Sequence, residues 1–134
     1  EAIIWREITS ISAGFRHIVG LKSDGSVVAV GLDSSKQSEI NEWTDIIDIS
    51  AGRWHTAGLK KDGTVIVTEN YEDDYLYSTD YKLKDLSDWQ NIVAISAGGE
   101  NTVGLKSDGT VVAIGTVGSN IFRQDKVDEW NLSK

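Results

Sequence analysis

The chain has 134 residues, with 13 Gly and 5 Trp but no Pro, Cys or Met, and at this length one domain is the expectation. With no cysteine, a disulfide framework, a Cys-ligated zinc, an iron–sulfur cluster and a thiol nucleophile are all excluded. The 13 basic and 21 acidic residues give a net charge of −8, which repels phosphate backbones and anionic lipid, so nucleic acid is not an expected partner. Nor is membrane insertion, because no apolar run approaches the roughly 20 residues of a spanning helix. Glu1-Ala2-Ile3-Ile4-Trp5 has neither a basic region nor a long apolar core, so no signal peptide is expected. The missing initiator Met points to a trimmed start or to a piece of something longer.

In chain order, three copies of one unit follow. Residues 5–31 read WREITSISAGFRHIVGLKSDGSVVAVG, residues 43–69 WTDIIDISAGRWHTAGLKKDGTVIVTE, and residues 89–115 WQNIVAISAGGENTVGLKSDGTVVAIG. They align without a gap over 27 positions, 12 of them identical in all three, and a fourth copy starts at Trp130. This is one repeat domain, 1–134, dividing into blade repeats 5–42, 43–88 and 89–129 and the start of a fourth at 130–134. Each copy predicts three short strands. The first is Ile8–Ala13, with Ile46–Ala51 and Ile92–Ala97 in the other copies. The second is His17–Lys22, with His55–Lys60 and Asn101–Lys106. The third is Val27–Val30, with Val65–Thr68 and Val111–Ile114.

Between the second and third strands lies Asp-Gly, where Gly supplies the positive φ of a tight hairpin turn. A fourth, weaker strand is expected to lead into each Trp, around Ile40, Leu86 and Val127. Helix is disfavoured because Gly recurs inside the pattern and no 3.6-residue apolar period is sustained. Four short strands per roughly 40 residues describe the blades of an all-β propeller, each of four antiparallel strands. A β-solenoid is the rival, weakened by the hairpin Asp-Gly in every unit.

The unit W-x2-I-x2-I-S-A-G-x2-[HN]-x2-G-L-K-x-D-G-x-V-x3-[GE] resembles the regulator of chromosome condensation repeat, in the form common in bacterial proteins. The second copy departs from it with Glu69 in place of a Gly, and the third has Asn101 where His17 and His55 stand. The resemblance implies a propeller of about seven blades, within the usual range of about four to eight, whose faces bind other proteins. Family activities include activating a nuclear GTPase and inhibiting β-lactamases, and neither passes to this chain on fold alone. Three blades leave a ring open, with apolar faces and strand edges in water. Either the chain is part of a longer array or several chains close the ring. A homo-oligomer, specifically a dimer of six blades, is expected.

His17 and His55 share one repeat position and read as architectural rather than as metal ligands or an acid/base pair. Asp24, Asp62 and Asp108 read as turn formers. No nucleophile triad, phosphate-binding Gly loop or calcium loop appears, so no enzyme activity, metal or cofactor is expected. The residues that break the repeat are the candidates for binding. After each Ser-Ala-Gly come Phe15-Arg16, Arg53-Trp54 and Gly99-Glu100, placed by the turn on one face near the axis, with the aromatic and Arg content of interface hot spots. The segment 69–81 holds all four tyrosines, Tyr71, Tyr75, Tyr77 and Tyr81, together with five acids. Tyrosines so clustered suit recognition, and the acids suit a basic partner surface. The reading is a non-enzymatic protein-binding scaffold that displays variable loops. A purely architectural self-assembling repeat is the alternative, and carbohydrate binding is the third.

Overall fold

The computed structural model describes residues 4–31, 39–53, 55–68, 86, 88–99, 101–117 and 120–122. It is built of three antiparallel sheets in sequence. The first is β1 (Ile8–Ala13), β2 (His17–Lys22) and β3 (Val27–Gly31), and the second is β4 (Ile46–Ala51), β5 (Thr56–Lys60) and β6 (Val65–Val67). The third is β7 (Ile92–Ala97), β8 (Asn101–Lys106), β9 (Val111–Val117) and β10 (Asn120–Phe122). Each is a simple meander, and all the strands expected from the three aligned copies are present with small shifts at their ends. The Asp-Gly turns form as read, with Gly25, Gly63 and Gly109 at φ 84°, 85° and 87°.

The first strand of each sheet begins irregularly. Glu7, Asp45 and Asn91 sit at φ 60°, 58° and 59°, and the register slips between Ile8 and Ser10, Ile46 and Asp48, and Ile92 and Ala94. A bulge changes the parity of the strand, so residues three apart share a face. The I-x2-I spacing thereby puts Ile46 and Ile49 on the same side, and both are buried.

The core lies between sheets rather than within one. Val19, Leu21 and Val27 of the first sheet pack with Ile40, Trp43, Ile46 and Ile49, which introduce the second. Ala57, Leu59, Val65 and Val67 of the second sheet pack in the same way with Trp89, Ile92 and Val112. The mid-strand glycines make room for this. A Cβ on Gly58 would stand 2.9 Å from Trp43 Cζ3, and one on Gly20 2.9 Å from Trp5 Cε3, so the six-membered ring of the indole packs against bare backbone.

The expected strands into each Trp are corrected at Ile40 and Leu86. Residues 39–41 form a helical turn, and Trp43 N donates to Ile40 O at 3.0 Å. Trp89 N donates to Leu86 O at 2.9 Å in the same way. An extended strand would alternate its side chains between faces, whereas the turn brings Ile40 and Trp43 together into the joint. Val127 lies outside the described residues. A fourth strand of the third sheet, β10, lies ahead of that position.

Polar bonds cross each joint at matching places. Gly25 O accepts from Ile46 N and Gly63 O from Ile92 N, both at 3.0 Å. Ser12 Oγ accepts from Ala51 N at 2.9 Å and Ser50 Oγ from Ala97 N at 2.8 Å. His17 Nε2 bonds Thr56 Oγ1, and His55 Nε2 bonds Thr102 Oγ1, each at 2.8 Å. The two histidines therefore tie one blade to the next. His55→Asn gives the second blade the residue of the third and leaves the buried Thr102 hydroxyl without this partner. The expected loss is about 1–3 kcal/mol, read from the urea midpoint; an unchanged midpoint would remove the histidine from the joint.

Candidate protein-binding face

The Ser-Ala-Gly turn joins the first strand of each sheet to the second, and the Asp-Gly turn joins the second to the third. In a meander these turns lie at opposite ends, so the molecule has two chemically different faces. On the first, consecutive turns are bonded in a row: Phe15 N donates to Gly52 O at 3.4 Å, and Arg53 N donates to Gly99 O at 3.0 Å. Beneath them β1 lies beside β4 and β4 beside β7. These bonds hold side chains from neighbouring sheets within reach of one another.

Phe15 is 61% exposed, high for a phenyl ring. The Arg53 guanidinium lies 5.0 Å from its centroid, across the joint, and that of Arg16 lies 5.6 Å from it. Each such contact at an exposed site is worth about 0.5–1 kcal/mol. A guanidinium over a ring carries its N–H donors in its own plane, the geometry that carboxylates and carbonyls match. The cluster thus combines an apolar plate with two planar cations, in a protein whose net charge is −8.

The opposite face is repetitive, each turn setting an aspartate near a lysine: Asp24 with Lys22, Asp62 with Lys60 and Asp108 with Lys106. Asp24 Oδ1 accepts from Ser26 N at 2.9 Å and from the Ser26 hydroxyl at 2.5 Å. Asp62 and Asp108 accept likewise from Thr64 and Thr110, at 2.9 Å from N and 2.6 Å from Oγ1. The hydroxyl bond first, and the backbone bond second, hold all three carboxyls below the ordinary aspartate value. Among the described residues no group of three or more His, Cys, Asp and Glu is placed to hold a metal, and no helix is long and apolar enough to cross a membrane.

Residues 8–37 and 46–68 match the regulator of chromosome condensation (RCC1) repeat. Among curated proteins no sequence matches this one. Several solved structures share its fold. The crystal structure of Prp20p from Saccharomyces cerevisiae is 19% identical, with a TM-score of 0.58, over 86% of this chain and 32% of that one. Human WBSCR16 is 14% identical, with a TM-score of 0.58, over 87% and 36%. The CRINKLY WD40 ectodomain of the Arabidopsis thaliana receptor kinase ACR4 is 23% identical, with a TM-score of 0.54, over 81% and 36%. The chain carries RCC1 repeats over those two segments. It spans about a third of the length of these solved structures, so its three sheets are propeller blades forming part of a ring.

Of the residues singled out from the sequence, the RCC1 blades bring Phe15, Arg16 and Arg53 together. Trp54, Glu100, Tyr71, Tyr75, Tyr77 and Tyr81 lie outside the described residues. Two further exposed residues were missed, Ile47 at 54% and Val93 at 55%. They occupy one repeat position, inside the bulge of β4 and β7, which turns them away from the joint. The signal for them was the three-residue spacing of the flanking isoleucines, which a regular strand cannot place on one face.

Two outcomes are expected here. Phe15→Ala removes an exposed ring with two such contacts and should move stability by no more than about 1–2 kcal/mol; a larger shift in the urea midpoint would make Phe15 a packing residue. A carboxyl whose value is lowered on folding stabilises the fold above its ordinary value, and that contribution disappears as pH falls through the lowered one. The melting temperature should therefore fall below about pH 4. Its gap from a D24N/D62N/D108N variant should close over the same range, and a gap independent of pH would rule out the ionised turns as its source.

Proposed function

We propose that this chain is a non-enzymatic protein-binding propeller scaffold that uses the turns after Ser-Ala-Gly as its contact face. The observation that carries the reading is the Phe15 ring, exposed and flanked by Arg16 and Arg53 from two blades. Rigid backbone bonds between turns keep the ordering cost of such a site low, and aromatic and Arg side chains supply contact. RCC1-type structures are a protein-interaction fold. Yeast RCC1 (Prp20) has been crystallised with Kap60, and Prp20p is described for its binding to Gsp1p and histones. For this chain the support is the chemistry of its own face, with the Tyr-rich acidic segment 69–81 as a second contact element.

A second reading, self-assembly, is favoured by the exposed apolar side chains at the first blade, Ile11 and Ile18. In it a second copy completes the ring, and two copies supply six blades, within the usual range of about four to eight. The two readings are compatible, since closure uses blade sides and binding uses turns.

The test is affinity capture with tagged wild-type chain and with two variants, Phe15→Ala/Arg53→Ala and Arg53→Ala/Trp54→Ala. Partners recovered by the wild type should be lost from both, at unchanged melting temperature. Equal recovery by all three chains would move the binding site away from this face.

A further inference from the structure

We infer that the two ends of the described arc are the two halves of one joint, so that copies of this chain dock head to tail, the third blade of one against the first blade of the next. The inference rests on the self-assembly reading and specifies its surfaces. Each internal joint has a donor half and a receiving half. The receiving residues Ile49 and Thr56 of the second blade are buried, at 6% and 1% exposure, while the same positions of the first blade, Ile11 and Ile18, are 72% and 48% exposed. On the donor side Leu21 and Leu59 are buried, and their counterpart Leu105 in the third blade is 38% exposed.

The glycines give the same pattern. A Cβ on Gly14 or Gly52 would run into the carbonyl of Gly52 or Gly98 in the following blade, whereas one on Gly98 meets nothing within 4 Å. Likewise Gly25 and Gly63 abut Asp45 and Asn91, while Gly109 abuts nothing within 4 Å. Polar groups also repeat. Gly109 O and Ser96 Oγ stand where Gly63 O and Ser50 Oγ accept, and Ile8 N and Ala13 N stand where Ile92 N and Ala97 N donate. One end thus carries the acceptors that the other end's donors match.

Among the described residues the ends differ from the internal joints at the histidine pairing. His17 and His55 reach Thr56 and Thr102, but the third blade has Asn101 and the first has Ile18. Asn is shorter than His and Ile longer than Thr, so the two changes offset each other in reach across the joint. Asn101 Oδ1 is already buried without a partner, so covering it with Ile18 strips no further water from that oxygen. The joint between copies is therefore apolar where the internal joints are hydrogen-bonded, and it is the weaker of the two.

The experiment measures mass by light scattering and sedimentation over a concentration series. Gly98→Ala touches none of the described residues of its own copy but sets a methyl against the Gly14 carbonyl of the next, while Ile11→Asp blocks the receiving half. Each variant alone should stay monomeric, with wild-type circular dichroism, at concentrations where the wild type associates. Mixed, they should form a 1:1 complex, because each retains the half the other has lost. N101H with I18T should tighten wild-type association by roughly five-fold or more, and N101H alone should not. Self-association of either blocked variant overturns the head-to-tail joint and leaves assembly by copies standing. A wild type that is monomeric at every concentration overturns both.

Discussion

A single sheet of three or four strands has no interior, and everything else in this molecule follows from how that deficit is met. Each blade buries its apolar side chains only by meeting the next, so the repeat is a unit of sequence without being a unit of stability. The Trp that opens the second or the third copy belongs to two blades at once. It lies on the bare mid-strand Gly of its own sheet and fills the gap beside the sheet before it. A side chain at that Gly would lift the indole by its own thickness and open the joint. The invariance of Trp and Gly between copies is one constraint seen from two positions.

Much of this was legible in the sequence because the constraint recurs. Asp-Gly fixed the hairpins, since few residues adopt the turn conformation and the Asp carboxylate bonds two residues ahead. The three strands of each copy followed from β-branched runs between such turns. The helical turn at Ile40 was not legible, because a short apolar run before Trp reads as strand, and only the joint demands that Ile40 and Trp43 point the same way. The outward turn of Ile47 and Val93 was missed for a related reason, as a bulge leaves no residue signature beyond an altered spacing. At the candidate face, residue types were readable but not pairing. Arg53 comes within reach of Phe15 only because two turns 38 positions apart bond side by side.

The histidine position shows how a repeat distinguishes its interior from its ends. Where a blade follows, the ring crosses to a threonine hydroxyl, a directional bond that fixes how one sheet sits on the next. Where no blade follows among the described residues, Asn is present, with its oxygen buried and unpartnered. A buried acceptor lacking a donor costs stability in an isolated arc. That cost falls on the one histidine position whose partner would come from outside the three blades. The substitution is therefore informative about the surface, in a way that a change on an exposed strand would not be.

Binding face and joint are not independent in such a design. Phe15 belongs to one blade and Arg53 to the next, so the cluster exists only while their joint is closed, and whatever tightens the joint also orders the site. The same geometry extends to the third turn. Gly99 stands where Phe15 and Arg53 stand, offers its carbonyl to Arg53 N, and has no side chain to contribute. The row of contacts therefore runs from aromatic to cation to bare backbone, giving the rim a direction. The rim is thus an ordered sequence of chemistries rather than three equivalent turns, although the blades that carry it are nearly identical.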